Sequence, residues 1–230
     1  MKTIGLLGGM SWESSAEYYR IINQSVRDRL GGSHSARCVM YSVDFAEIET
    51  LQNEGDWEAM TRILADAAGK VARGGADLIL LCTNTMHKVF DAISASVSVP
   101  MIHIADAAAL RVKEAGINRV GLLGTRFTME QDFYKGRLAA RHGLEVITPD
   151  ERERQVIHDV IYNELCRGII DDRSRKYYLK VIEGLVDRGC QGIVLGCTEI
   201  PLLIKQQDTE TPLFDTTTIH ARKAVEEALS

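Results

Sequence analysis

Two stretches of this chain end a run of aliphatic residues on side chains that can move protons. Gly192-Ile-Val-Leu-Gly196 stops abruptly and is followed by Cys197, Thr198 and Glu199. In the first half, Ala76 to Leu81 runs into Cys82, Thr83, Asn84 and Thr85, with His87 two places further on. An apolar run closed in this way predicts a buried parallel strand that presents a thiol or hydroxyl at its carboxyl tip. In open α/β sheets, ligands bind outside those carboxyl ends. A thiol is a useful proton carrier: its ordinary pKa is about 8.5, and a helix N-terminus or a polar pocket can lower it. An acid and a base on opposite sides of one carbon suit inversion there, one removing a proton while the other supplies one. The Gly-rich turns and helix N-termini beside such tips offer backbone N–H groups to a carboxylate, with no need for a metal.

The elements that must position these groups alternate between strand and helix. Thr3 to Leu7 predicts a strand closed by Gly8 and Gly9. Ser11 and Ser14 are candidate caps for a helix reaching Leu30, broken by Gly31 and Gly32. Arg37 to Val43 predicts a second strand and Ile48 to Gln52 a short helix. Trp57, Met60, Ile63, Leu64 and Ala67 form a helical stripe within Asp56 to Arg73. Asp77 to Leu81 and Val99 to His103 complete the strands of the first half. Strand alternating with helix implies parallel sheets with right-handed crossovers.

The plan then repeats. Gly121 follows Gly5 by 116 positions, while Cys197 follows Cys82 by 115 and Thr83 by 114. Pro212-Leu-Phe214 echoes Pro100-Met-Ile102, and the final helix from Thr216 to Leu229 echoes Ile104 to Ala115. Matches in one order at near-constant offset indicate duplication. The expected fold is α/β, with two pseudosymmetric parallel-sheet subdomains and an active site in the cleft between them. The first half spans 1–104, joined by the C-terminal helix 215–230, and the second spans 105–214. From the duplication alone, either Cys82 or Thr83 aligns with Cys197.

Composition narrows the function classes. The net charge of −5 comes without a basic run, which argues against a nucleic-acid partner. No run of 18 apolar residues suggests a membrane span, and the apolar N-terminal stretch is too short for a signal peptide. Five cysteines without CxxC spacing argue against a disulfide framework or a cysteine zinc site, and for a reducing cytoplasm. The six histidines are scattered and no metal cluster is expected. GxGxxG is absent, so the first Gly-rich turn is not a dinucleotide fingerprint. Asp150 to Gln155 alternates charge and reads as a solvated helix start.

The set Gly5-x-x-Gly8-Gly9-Met10, Asn84-Thr85-x-His87 and Gly196-Cys197-Thr198-Glu199 resembles the cofactor-independent aspartate/glutamate racemases, most closely the L-aspartate/glutamate-specific members. The resemblance covers essentially the full chain. It implies racemisation of L-aspartate and L-glutamate with no cofactor, in a homodimer, with Cys197 as one catalytic residue; the alternatives are a hydantoin racemase, maleate isomerase or arylmalonate decarboxylase of the same architecture, or a non-catalytic amino-acid sensor. The family's first motif reads Cys-Asn-Thr. Here Thr83 precedes Asn84-Thr85 and Cys82 sits one place earlier, so the resemblance favours Thr83 as the second catalytic residue. Successive strand side chains point opposite ways, which would turn Cys82 from the cleft. A hydroxyl donates or relays a proton but is a poor base near neutral pH, and in the glutamate racemase relatives the second-half cysteine acts on the L-enantiomer, so the resemblance implies that reaction from the L side is the faster.

The remaining substrate-binding candidates flank these positions. Asn84, Thr85 and Thr198 follow the two tips, although the same side chains serve equally well as helix caps. Met10 lies in the first Gly-rich turn, where its side chain packs or its N–H faces a ligand, and Thr125 occupies the matching turn of the second half. Gln52 stands near where relatives place an arginine for the substrate's side-chain carboxylate. Arg167 is a candidate cation from the second half, or simply a helix C-terminal charge. Glu199 is placed to polarise Cys197, to orient the amino group, or to complement a helix dipole.

Overall fold

The computed structural model describes residues 1–230, which divide into two compact units: residues 1–104 with 220–230, and residues 105–219. The first unit opens with β1 (Ile4–Gly8), α1 (Trp12–Leu30), β2 (Cys38–Ser42), α2 (Phe45–Glu54) and α3 (Trp57–Arg73). It continues with β3 (Leu78–Leu81), a 3-10 turn over Thr85–Val89, α4 (Phe90–Ala95) and β4 (Met101–Ile102). Helix α5 (Ile104–Glu114) leads into the second unit. There follow β5 (Arg119–Gly124), α6 (Arg126–Glu130), α7 (Asp132–His142), β6 (Glu145–Ile147) and α8 (Glu151–Asn163). A 3-10 turn over Leu165–Arg167 precedes α9 (Asp172–Asp187), β7 (Gly192–Gly196), α10 (Ile200–Leu203), β8 (Leu213–Asp215) and α11 (Thr216–Leu229).

Local chemistry starts these helices where the side chains dictate. The Ser11 hydroxyl accepts from the Ser14 N–H at the head of α1, and Asp56 accepts from Ala59 N–H at the head of α3. Asp44 accepts from Ala46 N–H, so α2 begins at Phe45, earlier than the Ile48 start expected from its apolar pattern. Asp150 and Glu153 form a reciprocal capping box on α8, the element the alternating charges foreshadowed.

Both sheets are four-stranded and parallel, ordered β2-β1-β3-β4 and β6-β5-β7-β8. The α/β architecture with two like parallel-sheet subdomains is therefore as expected. Each strand order reverses beside the first strand, so the switch point falls between β1 and β3, and between β5 and β7. In the first unit, Leu7, Ile79 and Leu81 face Ile48, Met60, Leu64 and Val71. The opposite face of that sheet packs Ile4, Leu6, Leu78, Leu80 and Cys82 against Tyr18, Ile22 and Val26 of α1 and Ala221, Ala224 and Val225 of α11. In the second unit, Leu123, Ile193 and Leu195 pack on Ile157 and Ile161 of α8 and Tyr178, Ile182 and Leu185 of α9.

The glycines that carried the duplication signal have a shared structural reason. A Cβ on Gly5 would lie 2.8 Å from Ala76 Cβ and closer still to Val71 Cγ1. A Cβ on Gly121 would lie 2.6 Å from Ile193 Cδ1 and 2.9 Å from Leu185 Cδ1. Each glycine lets the covering helix, α3 or α9, sit directly on the first strand. Gly5→Ala should destabilise the protein by about 1–3 kcal/mol through overpacking, read as a lower urea midpoint with an unchanged denaturant slope.

A buried histidine adds an acid-sensitive element to the first unit. His220 is fully buried, its Nε2 lies 2.8 Å from the Ile102 carbonyl and its Nδ1 lies 2.8 Å from the Tyr18 hydroxyl. The carbonyl only accepts, so Nε2 carries the proton and Nδ1 accepts from Tyr18. Burial lowers the pKa of His220 to about 4, against 6.5 for the free side chain. The unfolded chain therefore binds the extra proton first, and stability falls as pH drops from 6.5 towards 4. The loss should approach about 3 kcal/mol. His220→Gln should flatten the pH dependence of the unfolding free energy across that window. An unchanged slope would show that His220 is not the responsible group.

Candidate active site

Strand register brings the chemistry to equivalent places in the two units. Leu7 pairs with Leu81 in the first sheet, and Leu123 pairs with Leu195 in the second. Counting on from these pairs, Gly9 and Thr83 follow the ends of β1 and β3, while Thr125 and Cys197 follow the ends of β5 and β7. Thr83 is thus the positional counterpart of Cys197, and Cys82 that of Gly196. Cys82 faces the core among Leu80, Ile4 and Tyr18, is fully buried, and its thiol is pushed far above its ordinary pKa by burial.

The second-unit tip holds a thiol–carboxylate pair. Cys197 is 6 % exposed, and its Sγ–H donates to Glu199 Oε2 at 2.9 Å. The same oxygen accepts from the Thr198 hydroxyl at 2.7 Å. Burial raises the thiol pKa well above its ordinary value, and the Glu199 carboxylate raises it further. The lowering that a helix N-terminus or polar pocket would bring is not realised, because desolvation and a neighbouring negative charge both oppose the thiolate. At rest the proton sits on sulfur with a carboxylate ready to take it. Glu199 stands at the head of α10 and makes no side-chain capping bond there.

The first-unit tip holds a hydroxyl on an anchored backbone. Thr83 N–H donates to Leu81 O at 2.9 Å, so the chain leaves the ladder at this residue. The Thr83 carbonyl lies 2.7 Å from His87 Nδ1. The Thr83 side chain is buried, with a hydroxyl that bonds to no other group of the protein. Asn84 and Thr85 follow, both buried, and Asn84 does not cap the 3-10 turn that starts after it. No group of three or more His, Cys, Asp or Glu side chains is arranged to hold a metal ion.

A sequence profile for Asp/Glu/Hydantoin racemases matches residues 7–224. The chain belongs to the Asp/Glu/Hydantoin racemase family. Membership places it among isomerases. Over the whole length of both chains it is 55% identical to a candidate Asp/Glu racemase from Yersinia pestis of known structure, with a TM-score of 0.94. It is 38% identical to an aspartate racemase homologue from Pyrococcus horikoshii OT3, again over both full chains, with a TM-score of 0.88. A broad specificity amino-acid racemase of Bacillus subtilis is 25% identical over 173 residues, 74% of this chain and 73% of that protein.

The other candidate residues of this racemase-family chain are placed unevenly. The Met10 side chain is buried in the apolar cluster with Leu7, Ile48 and Met60, so only its backbone is left for a ligand. Gln52 is buried on the inner face of α2. Thr125 caps α6, accepting from Thr128 N–H at 3.4 Å, which commits part of its hydrogen-bonding capacity. Arg167 is exposed and ends the 3-10 turn that packs against α10. Gly9 at the β1 tip has φ of 92°, and a Cβ there would run into the Val43 backbone.

Supporting groups also appear that sequence patterns did not single out. The Ser15 hydroxyl accepts from Gly9 N–H at 2.8 Å and donates to Ser11 O at 3.0 Å, stitching the first Gly-rich turn to α1. Thr216 donates to Leu195 O at 2.8 Å, two residues before Cys197. The neighbouring Thr217 hydroxyl is buried without a partner at the start of α11, which leaves it available to a bound polar group. Small hydroxyl residues next to strand tips were the only available signal, and that signal is shared with ordinary caps.

The thiol–carboxylate contact makes a prediction of definite sign. Glu199→Gln removes the charge that opposes the thiolate, so Cys197 should ionise at lower pH than in the parent protein. Ultraviolet thiolate titration, taken as the difference from Cys197→Ser, reads the shift. An upward or absent shift would mean that the carboxylate does not face the sulfur.

Proposed function

We propose that this chain interconverts the enantiomers of aspartate and glutamate by proton transfer at the α-carbon, using its own side chains in place of a cofactor. The observation that carries the reading is the strand register that makes Thr83 the counterpart of Cys197, with Glu199 bonded to the thiol. In the forward direction the Cys197 proton passes to Glu199 Oε2, and the thiolate so formed takes the α-proton of the L-enantiomer. The Thr83 hydroxyl, or a water it holds, delivers a proton to the opposite face of the carbanion. Thr83 regains its proton from solvent, and Glu199 returns one to solvent, so each turnover restores both groups.

Directionality follows from the two pKa ranges. A thiol beside a carboxylate can serve as base, whereas an aliphatic hydroxyl cannot be deprotonated to a useful extent near neutral pH. With Cys197 taken as the base for the L-enantiomer, reaction from the L side is proposed to be faster than reaction from the D side. The backbone N–H of Met10, with the side chains of Asn84, Thr85, Thr198 and Thr217, is proposed to hold the α-carboxylate and amino group. Gln52 would bond the side-chain carboxylate without matching its charge, with Arg167 as the candidate cation from the second half. A neutral group at that position also favours a wider range of amino acids, a reading supported by the broad specificity named for the Bacillus subtilis relative. Five free cysteines suit a reducing cytoplasm, and a homodimer is the proposed assembly.

Incubation of the enzyme with L-aspartate or L-glutamate in deuterated water should wash deuterium into the α-position. Cys197→Ser should lower this exchange by at least about 10³-fold, since it removes the base itself. Thr83→Ala should keep exchange from the L-enantiomer but lose most formation of the D-product. No exchange with either amino acid, or equal initial rates from pure L and pure D substrate, would overturn the assignment.

A further inference from the structure

We propose that His87 is a positioning residue for Thr83, acting as a neutral imidazole that carries its proton on Nδ1. Its catalytic meaning rests on the reading of Thr83 as the group that reprotonates the α-carbon.

The assignment comes from two backbone partners of opposite character. His87 Nδ1 lies 2.7 Å from the Thr83 carbonyl, which can only accept. His87 Nε2 lies 3.1 Å from the Ile104 N–H, which can only donate. One ring nitrogen must therefore carry a hydrogen and the other must not. A second proton would set two N–H groups head to head inside the unit. Lysine and arginine, which cannot accept, do not meet this pair of demands.

The ring is also held mechanically. It is 3 % exposed and stacks on Phe90, with centroids 5.2 Å apart and planes 8° from parallel. His103 meets it edge-on at 4.5 Å, and His220 lies 5.9 Å away. His220 donates to the Ile102 carbonyl, so the two residues flanking His103 are each gripped by an imidazole, one giving a hydrogen bond and one receiving it. Tyr18 completes the chain by donating to His220. The end of β4, helix α1 and helix α11 are thus tied through His87 to Thr83, two residues past the end of β3.

Thr83 needs that tie because the sheet no longer supplies one. Its N–H turns back to Leu81 O, and its carbonyl is taken by His87. Both backbone bonds are local, and only the one to His87 links the residue to the packed body of the unit. A hydroxyl that must deliver a proton to one face of a carbanion tolerates little displacement; a shift of about 1 Å can cost about 10²-fold in rate.

The test uses two amide substitutions that separate the ring's two bonds. In His87→Asn the amide nitrogen lies where Nδ1 was and can donate to Thr83, while the bond to Ile104 is lost. In His87→Gln the amide reaches the position of Nε2 and can accept from Ile104, while the bond to Thr83 is lost. His87→Gln should lower kcat for racemisation of L-aspartate by about 10²-fold with little change in KM, and His87→Asn should recover most of that loss. In the parent protein, two-bond proton–nitrogen correlation of the His87 ring near neutral pH should show hydrogen on Nδ1 and none on Nε2. The opposite tautomer, or equal loss of kcat in both variants of an active enzyme, would overturn the positioning role. A parent enzyme with no racemisation or α-exchange would instead sink the proposed function, and the catalytic meaning of His87 with it, while the ring's tautomer would still be read.

Discussion

A proton shared between a buried sulfur and a carboxylate is the interaction on which the rest depends. Cys197 sits at the end of a strand whose every residue is buried, and little water-exposed surface offers its thiolate relief. Glu199 supplies the one strong acceptor within reach, at 2.9 Å. Burial and the nearby charge both keep the thiol protonated, so the sulfur is held as an acid beside a base instead of as a free anion. This is a poised state: transfer of one proton over a hydrogen-bonded contact creates the nucleophilic form without changing the net charge of the pair.

The scaffold around that pair is duplicated, but the chemistry is not. Both sheets have the same strand order, the same register at their tips, and a glycine in the first strand that admits the covering helix. At the equivalent tips one unit carries a thiol bonded to a carboxylate and the other a hydroxyl bonded to nothing in the protein. Under the proposed mechanism, unlike groups at matching places of a duplicated fold would give the proton transfer a direction. The difference lies in the residue identities at the tips: Thr83 in one unit, and Cys197 with Glu199 in the other.

The two tips are also supported by different means. In the second unit the tip is held by small hydroxyls, with Thr198 on Glu199 and Thr216 on the Leu195 carbonyl. In the first unit the support is a set of buried imidazoles whose donors and acceptors are satisfied by backbone groups and Tyr18. A buried polar network is stable only when its members are paired, and when paired it fixes one arrangement. Such a network costs acid tolerance, because His220 must stay neutral to remain in place.

Much of this was legible in the chain itself. Apolar runs ended by Gly8, Leu81, Gly124 and Gly196 located the central strands, since a strand buried on both faces must be apolar throughout. The near-constant offset between halves announced the duplicated architecture, and the Gly196-Cys197-Thr198-Glu199 motif marked the thiol. Boundaries were less secure where a cap decided them, as at Asp44 before α2. Periodicity could not say whether Cys82 or Thr83 matched Cys197, because the offsets differ by one and strand alternation makes one residue the whole distinction. Only the paired ladders resolve that, equating Leu81 with Leu195 and sending Cys82 into the core. The raised pKa of Cys197, the tautomer of His87 and the burial of the Met10 side chain were likewise decided by the tertiary structure. Each depends on which groups face one another across elements far apart in sequence, and residue order carries no direct record of that.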